Sequence, residues 1–214
     1  VSAAAAFLFD LDGTLADTLP DLAASTNHVR ALHDLPPVPD ATVRGFLGDG
    51  AQALLRRALA ERSLDEAALE RAFERYAEHH AQHCHDRSRL FPRVAEHLGA
   101  LRDRGHPIAI VTNKPERFAA PVVRSLGLHE FTSVVVGGDT LKTRKPDPAM
   151  LAHALRLLGA EASGATMVGD GLQDLRAGKA LDLRTIACLY GYGDPGALIA
   201  AGPDALWSQF GGTL

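Results

Sequence analysis

Five short apolar runs punctuate the chain, at Ala4 to Phe9, Pro107 to Val111, Ser133 to Val136, Ala165 to Val168 and Arg184 to Leu189. Helical patterns fill most of the intervals between them. Pro92 opens one helix with Val94, Leu98 and Leu101 on a single face, Pro115 opens another, and Asp147 to Leu158 and Leu172 to Ala180 supply two more. Short, uniformly apolar runs alternating with amphipathic helices are what a sheet buried on both faces requires. The pattern predicts an α/β fold with a doubly wound, parallel, five-stranded, Rossmann-like sheet. The opening Val1 to Phe9 lacks the basic segment of a signal peptide and runs straight into Asp10-Leu11-Asp12, so it reads as a buried strand.

One interval breaks the alternation. Between about residues 17 and 86 no strand pattern appears but several helices do, which predicts an all-helical domain inserted into a core made of 1–16 and 87–214. In its last helix Leu69, Phe73, Tyr76 and His80 fall on one face that can pack against neighbours. Pro36-Pro37-Val38-Pro39 separates its first helix from its second. A chain of 214 residues has room for a core of ordinary size with such an insertion.

Composition narrows the class of partner. With 46% hydrophobic and 22% charged residues and a formal net charge of −4, the chain reads as soluble and globular, with no global attraction to nucleic acid or to an anionic membrane. Cys84 and Cys188 are too few for a disulfide framework, and no apolar run approaches bilayer length, so a cytoplasmic monomer or homodimer is the expectation.

In open parallel sheets, active sites form beyond the carboxyl ends of the strands. The first run ends in Asp10-Leu11-Asp12-Gly13-Thr14 and the second in Thr112-Asn113. The third is followed by Lys145-Pro146, and the fourth by Gly169-Asp170 with Asp174 beyond. Asp10, Asp12, Asp170 and Asp174 would bring up to four carboxylates into one crevice, which is unfavourable unless a cation neutralises them. Hard oxygen donors suit Mg2+, which takes a few carboxylates alongside substrate phosphate. Lys145 adds positive charge, Thr112 a hydroxyl, and Asn113-Lys114-Pro115 reads as a helix start able to hold phosphate oxygens. Such a set suits phosphoryl transfer, which depends on positioning and charge neutralisation.

The segment Phe7-Leu8-Phe9-Asp10-Leu11-Asp12-Gly13-Thr14-Leu15 resembles the first motif of the haloacid dehalogenase superfamily, and Thr112, Lys145 and Gly169-Asp170 through Asp174 resemble the other three in order. Phe91-Pro92, Val111 to Pro115, Gly137-Gly138-Asp139, Lys145 to Pro148 and Tyr190-Gly191-Tyr192-Gly193 are similar to the phosphoglycolate phosphatase branch. The resemblance implies a phosphatase with Asp10 as nucleophile and Asp12 as acid and base. It further implies Mg2+ on the Asp10 carboxylate, the Asp12 carbonyl and Asp170, with Asp174 a ligand or an orienter. Thr112, Asn113 and Lys145 would hold the phosphoryl oxygens of a small metabolite, first of all 2-phosphoglycolate, and 17–86 would be the cap.

Two positions depart from that pattern. Gly171 stands where many relatives carry serine or threonine. In the cap segment Leu47-Gly48-Asp49-Gly50, which resembles the substrate loop, Asp49 is acidic where an anionic substrate prefers neutral or basic surroundings; Arg44, Arg56 or Arg57 are the candidates to compensate. The stretch from His79 to His85 reads as a solvated helix end, and the Tyr190 to Gly193 turn as a device of backbone shape. A sugar phosphomutase, a pyrophosphatase or an amino-sugar phosphate phosphatase would use the same core with a different cap. A receiver domain that carries an aspartyl-phosphate without turnover is opposed by the insertion and by Asp12.

Overall fold

The computed structural model describes residues 4–212. Strand β1 (Phe7–Phe9) is followed by a two-residue strand β2 (Ala16–Asp17) and by helices α1 (Leu19–Leu32), α2 (Asp40–Arg44), α3 (Ala51–Ala58) and α4 (Glu66–His83). Strand β3 (Arg89–Leu90) brings the chain back to α5 (Val94–Asp103), β4 (Ile108–Val111), α6 (Glu116–Ser125) and β5 (Val134–Val136). The remainder is α7 (Ala149–Leu158), β6 (Thr166–Gly169), α8 (Leu172–Lys179), β7 (Arg184–Cys188), α9 (Pro195–Ala200) and β8 (Ala205–Trp207).

The main sheet is parallel throughout, in the order β5-β4-β1-β6-β7-β8. Side chains alternate across it as the pleat demands. Phe7 and Phe9 enter one core with Val94, Leu98 and Val122, and Leu8 between them enters the opposite core with Met150, Leu151 and Met167. All five expected strands are present, shortened by up to three residues at one end, and β6 runs one residue past its expected end to Gly169. Pairing of the first begins at Phe7, whose N–H donates to Pro107 O; Val1 to Ala3 of that expected strand lie outside the described residues.

The sheet has six strands rather than five. Ala205–Trp207 is too short to carry a periodic signal, and its extended form comes from docking on the free edge of β7, with Ile186 opposite Ala205. Asp204 fixes that register by accepting hydrogen bonds from the Thr185 N–H at 2.7 Å and its hydroxyl at 3.0 Å.

Helices α1 to α4 enclose an apolar centre of their own, with Val29, Val43, Leu54, Leu55, Leu59, Ala72 and Tyr76 buried together, and Phe118 of α6 plugs it from the sheet side. The buried Arg30 clamps the proline-rich connection by donating to Pro36 O at 2.9 Å and to Ala58 O at 2.5 Å. Where the chain leaves and re-enters the sheet unit, β2 and β3 pair antiparallel, Ala16 opposite Leu90. The buried Asp21 carboxylate accepts the N–H groups of Arg87 and Ser88, so the outgoing helix holds the returning strand.

Candidate active site

The register places Phe9 beside both Ile110 and Val168, so β1, β4 and β6 end within one residue of the same level. Asp10, Thr112 and Asp170 emerge there side by side. Asp174, in the first turn of α8, and Lys145, between β5 and α7, close the group from above. All five are almost wholly buried.

Lys145 is the charge at the centre. Its Nζ lies 3.0 Å from Asp10 Oδ1 and 2.6 Å from Asp174 Oδ1 and donates to Val111 O at 2.6 Å. Its backbone is gripped by Asn113, whose Oδ1 accepts the Lys145 N–H at 3.0 Å and whose Nδ2 donates to Lys145 O at 2.9 Å. The same Nδ2 reaches Gly48 O of the helical unit at 3.2 Å. The Asn113 side chain therefore positions Lys145 and touches the insertion. The Thr112 hydroxyl accepts the Lys114 N–H at 3.2 Å.

Asp170 is oriented from two sides, by the Thr14 hydroxyl at 2.8 Å and the Tyr192 N–H at 2.7 Å, and Asp174 Oδ2 accepts the Gly171 N–H at 2.9 Å. Close packing behind it depends on Gly13, which has φ +85° and lies so near Asp170 that a β-carbon would collide with its carboxylate and with the Tyr192 ring.

Three of the four carboxylates gather: Asp10, Asp170 and Asp174 each present an oxygen, all within 4.8 Å of one another. Asp10 Oδ1 and Asp174 Oδ1 are buried without an aligned hydrogen bond, although both lie within ion-pair distance of Lys145. Burial pushes the Asp10 carboxyl up to about 8, with the Lys145 charge opposing and the neighbouring acids reinforcing. Burial and then the charge of Asp174 push Asp170 up to about 6, against the hydrogen bonds from Tyr192 and Thr14. For Lys145, burial acts downward, but the charges of Asp10 and Asp174 outweigh it and raise the ammonium. One lysine against three buried acids leaves negative charge over, and a cluster of hard oxygen donors fits a divalent cation such as Mg2+.

The Asp12 side chain stands apart from that triad. Its Oδ1 accepts the Thr18 hydroxyl at 2.5 Å and lies 3.2 Å from the Lys114 ammonium. Thr14, Thr18 and Lys114 escaped the sequence reading as site residues, and for Lys114 the signal was present, since it follows directly on Thr112-Asn113. Tyr192 escaped as well. The turn expected only to shape the backbone also uses that side chain: its hydroxyl accepts the N–H groups of Thr18 and Leu19 at 2.7 and 2.9 Å and donates to Asp17.

A cavity of about 380 Å3 lies between this edge of the sheet and the inserted helices, lined by Asp10, Asp12, Thr112, Asn113, Lys114 and Asp170 from below. Arg44, Gly48, Asp49 and Gly50 line it from the insertion. Of the three arginines considered as counter-charges, Arg57 pairs with Asp49, Arg56 with Glu66, and Arg44 donates to the carbonyls of Tyr192 and Gly191 at 2.9 and 2.8 Å. The histidine stretch is not simply a solvated helix end, because His80 and Cys84 are buried. His79 stacks on His28, with ring centroids 4.2 Å apart.

A family model described as haloacid dehalogenase-like hydrolase matches residues 7–188. A phosphoglycolate phosphatase of Chromobacterium violaceum is 38% identical over 196 residues, covering 90% of this chain and 88% of its own. Phosphoglycolate phosphatase 1 of Pseudomonas aeruginosa is 40% identical over 194 residues, covering 86% and 69%. Among solved structures, a predicted phosphoglycolate phosphatase from Haemophilus somnus superposes with a TM-score of 0.89 at 31% identity, over 97% of this chain and 95% of that one. The buried acids around Lys145, the inserted helices and these matches agree: the chain belongs to the haloacid dehalogenase-like hydrolase family, on its phosphoglycolate phosphatase-like branch.

Proposed function

We propose that this protein is a Mg2+-dependent phosphomonoesterase that hydrolyses 2-phosphoglycolate to glycolate and phosphate through an aspartyl-phosphate on Asp10. The observation that carries the reading is the convergence of Asp10, Asp170, Asp174 and Lys145 at the sheet edge, under a cavity sized for a small metabolite. The similarity to relatives named phosphoglycolate phosphatase supports the substrate.

In this reading Asp10, Asp170 and Asp174, with the Asp12 carbonyl, hold the cation, which when bound neutralises the acids and draws negative charge from the phosphoryl oxygens. Thr112, Asn113 and Lys145 hold those oxygens. An Asp10 carboxylate oxygen bonds to phosphorus as the bond from phosphorus to the glycolate oxygen breaks, and the Asp12 carboxyl gives its proton to that leaving oxygen. Water then attacks the same phosphorus while Asp12 takes back a proton, and the bond to Asp10 breaks to release phosphate. Thr18 and Lys114, both on the Asp12 carboxylate, orient it toward the leaving group. The insertion, residues 17–86, acts as a cap that excludes water during transfer. Two buried free thiols, Cys84 and Cys188, support a reducing, cytoplasmic setting.

Phosphate release from 2-phosphoglycolate, measured with Mg2+ and with chelator for the parent and for Asp10→Asn, tests the reading. Magnesium-dependent release that disappears in Asp10→Asn is expected. Equal rates in the two proteins end it.

A further inference from the structure

The three cap arginines are engaged elsewhere, which leaves open what meets the carboxylate of an acidic substrate. Resting on the substrate reading above, we propose that the Tyr76 hydroxyl, His80 Nε2 and the Lys114 ammonium together form the receptor for the carboxylate of a short phosphorylated acid, and so set the preference for anionic over neutral leaving groups.

Tyr76 and His80 lie one turn apart on α4, and both line the cavity that holds Asp10 and Asp12. Both are buried, and among the described residues neither Tyr76 Oη nor His80 Nε2 has a hydrogen-bond partner. Leu22, Leu54 and Phe118 line the same cavity. Tyr76 and His80 are held rigidly: the rings stack with centroids 5.0 Å apart, and Phe118 packs edge-on against each. Polar groups left unpaired in a water-poor wall are costly unless a ligand supplies the partner.

Tyr76 Oη is a donor, and His80 Nε2 is one in the tautomer whose Nδ1 accepts from Ser25. Burial raises the Tyr76 phenol, so it keeps its proton. Burial, with the Lys114 charge adding to it, pushes His80 down to about 2, so the ring is neutral and carries one N–H. His80 Nδ1 lies 2.9 Å from Ser25 Oγ, and His79 Nδ1 lies 3.1 Å from the same oxygen. If His79 donates to Ser25 and Ser25 donates to His80 Nδ1, the remaining N–H sits on His80 Nε2. Lys114, its side chain 4% exposed and its ammonium 3.2 Å from Asp12 Oδ1, adds the cation while Asp12 carries the proton it gives to the leaving group. Two neutral donors and one cation match the two oxygens and single charge of a carboxylate, whereas a methyl terminus leaves them unpaired.

The test is the ratio of kcat/KM for 2-phosphoglycolate to that for ethyl phosphate, its counterpart without the carboxylate, in the full chain with Mg2+. Tyr76→Phe, which removes only the hydroxyl, is expected to lower the ratio about tenfold or more, chiefly through the KM for 2-phosphoglycolate. His80→Phe is expected to lower it similarly, and His80→Gln, which retains an N–H donor, to lower it less. Should His80→Phe fail to fold, Tyr76→Phe decides. A parental preference for 2-phosphoglycolate that survives in Tyr76→Phe, or a loss shared equally by both substrates, overturns the receptor alone. A parent with no such preference overturns the substrate reading, and the receptor with it.

Discussion

The Lys145 ammonium lies 2.6 Å from the Asp174 carboxylate with both side chains sealed from solvent. Burying a pair in this way is tolerable only while both partners remain, because removing one strands the other's charge in a medium that solvates it poorly. Lys145→Met is therefore expected to destabilise the metal-free protein by about 3–5 kcal/mol, read by denaturant unfolding at neutral pH. It is also expected to lower kcat/KM by about 10²–10³. Added Mg2+ should recover part of the stability and little of the rate.

The raised carboxyls give the metal-free protein a pH dependence of definite sign. Asp10 and Asp170 hold their protons in the folded state up to about 8 and about 6 respectively, against an ordinary value of 3.8. Between those limits the folded form binds more protons than the unfolded, so their contribution to stability is complete below pH 3.8 and is lost as pH rises through about 6 and then about 8. Melting in chelator should fall as pH is raised from 5 toward 8.5, and saturating Mg2+ should flatten that slope. A chelated protein that grows steadily more stable over the same range contradicts the burial of these acids.

Gly13→Ala tests the packing behind Asp170. The backbone there has φ +85°, and a β-carbon would meet the Asp170 carboxylate. Strain of about 1–2 kcal/mol from the left-handed backbone is expected even before the collision displaces Asp170. Calorimetric titration should show Mg2+ binding weakened about tenfold or more, in line with the loss of an oriented ligand.

Tyr192→Phe tests how the insertion is seated. The hydroxyl accepts two N–H groups at the start of α1 and donates to Asp17, while the backbone N–H of the same residue orients Asp170. Deleting the hydroxyl leaves those N–H groups to find new partners, at a cost of about 1–3 kcal/mol in unfolding free energy. A KM that rises while kcat changes little is expected if the loss loosens the seat of the insertion without touching the acids.

Much of this was legible along the chain because the chemistry sits where the strands stop. Asp10, Thr112 and Asp170 each follow an apolar run, and buried parallel strands are hard to mistake when they recur with helices between them. The inserted helices were readable for the same reason, as the interval where the alternation lapses. The sixth strand was not, because three residues carry no period and Ala205–Trp207 is extended only by its pairing with β7.

The sequence by itself determined the class of sheet, the order of the acids and the lysine, and the presence of a helical insertion, since each is written in local pattern and spacing. Only the tertiary structure decided that Asp12 pairs with Lys114 across 102 positions, that Tyr192 reaches Thr18 across 174, and that Tyr76 and His80 face the same cavity as Asp10. Such contacts depend on how the helices of the insertion settle over the sheet. That arrangement is a compromise among many packing terms of similar size, with no counterpart in any short stretch of residues.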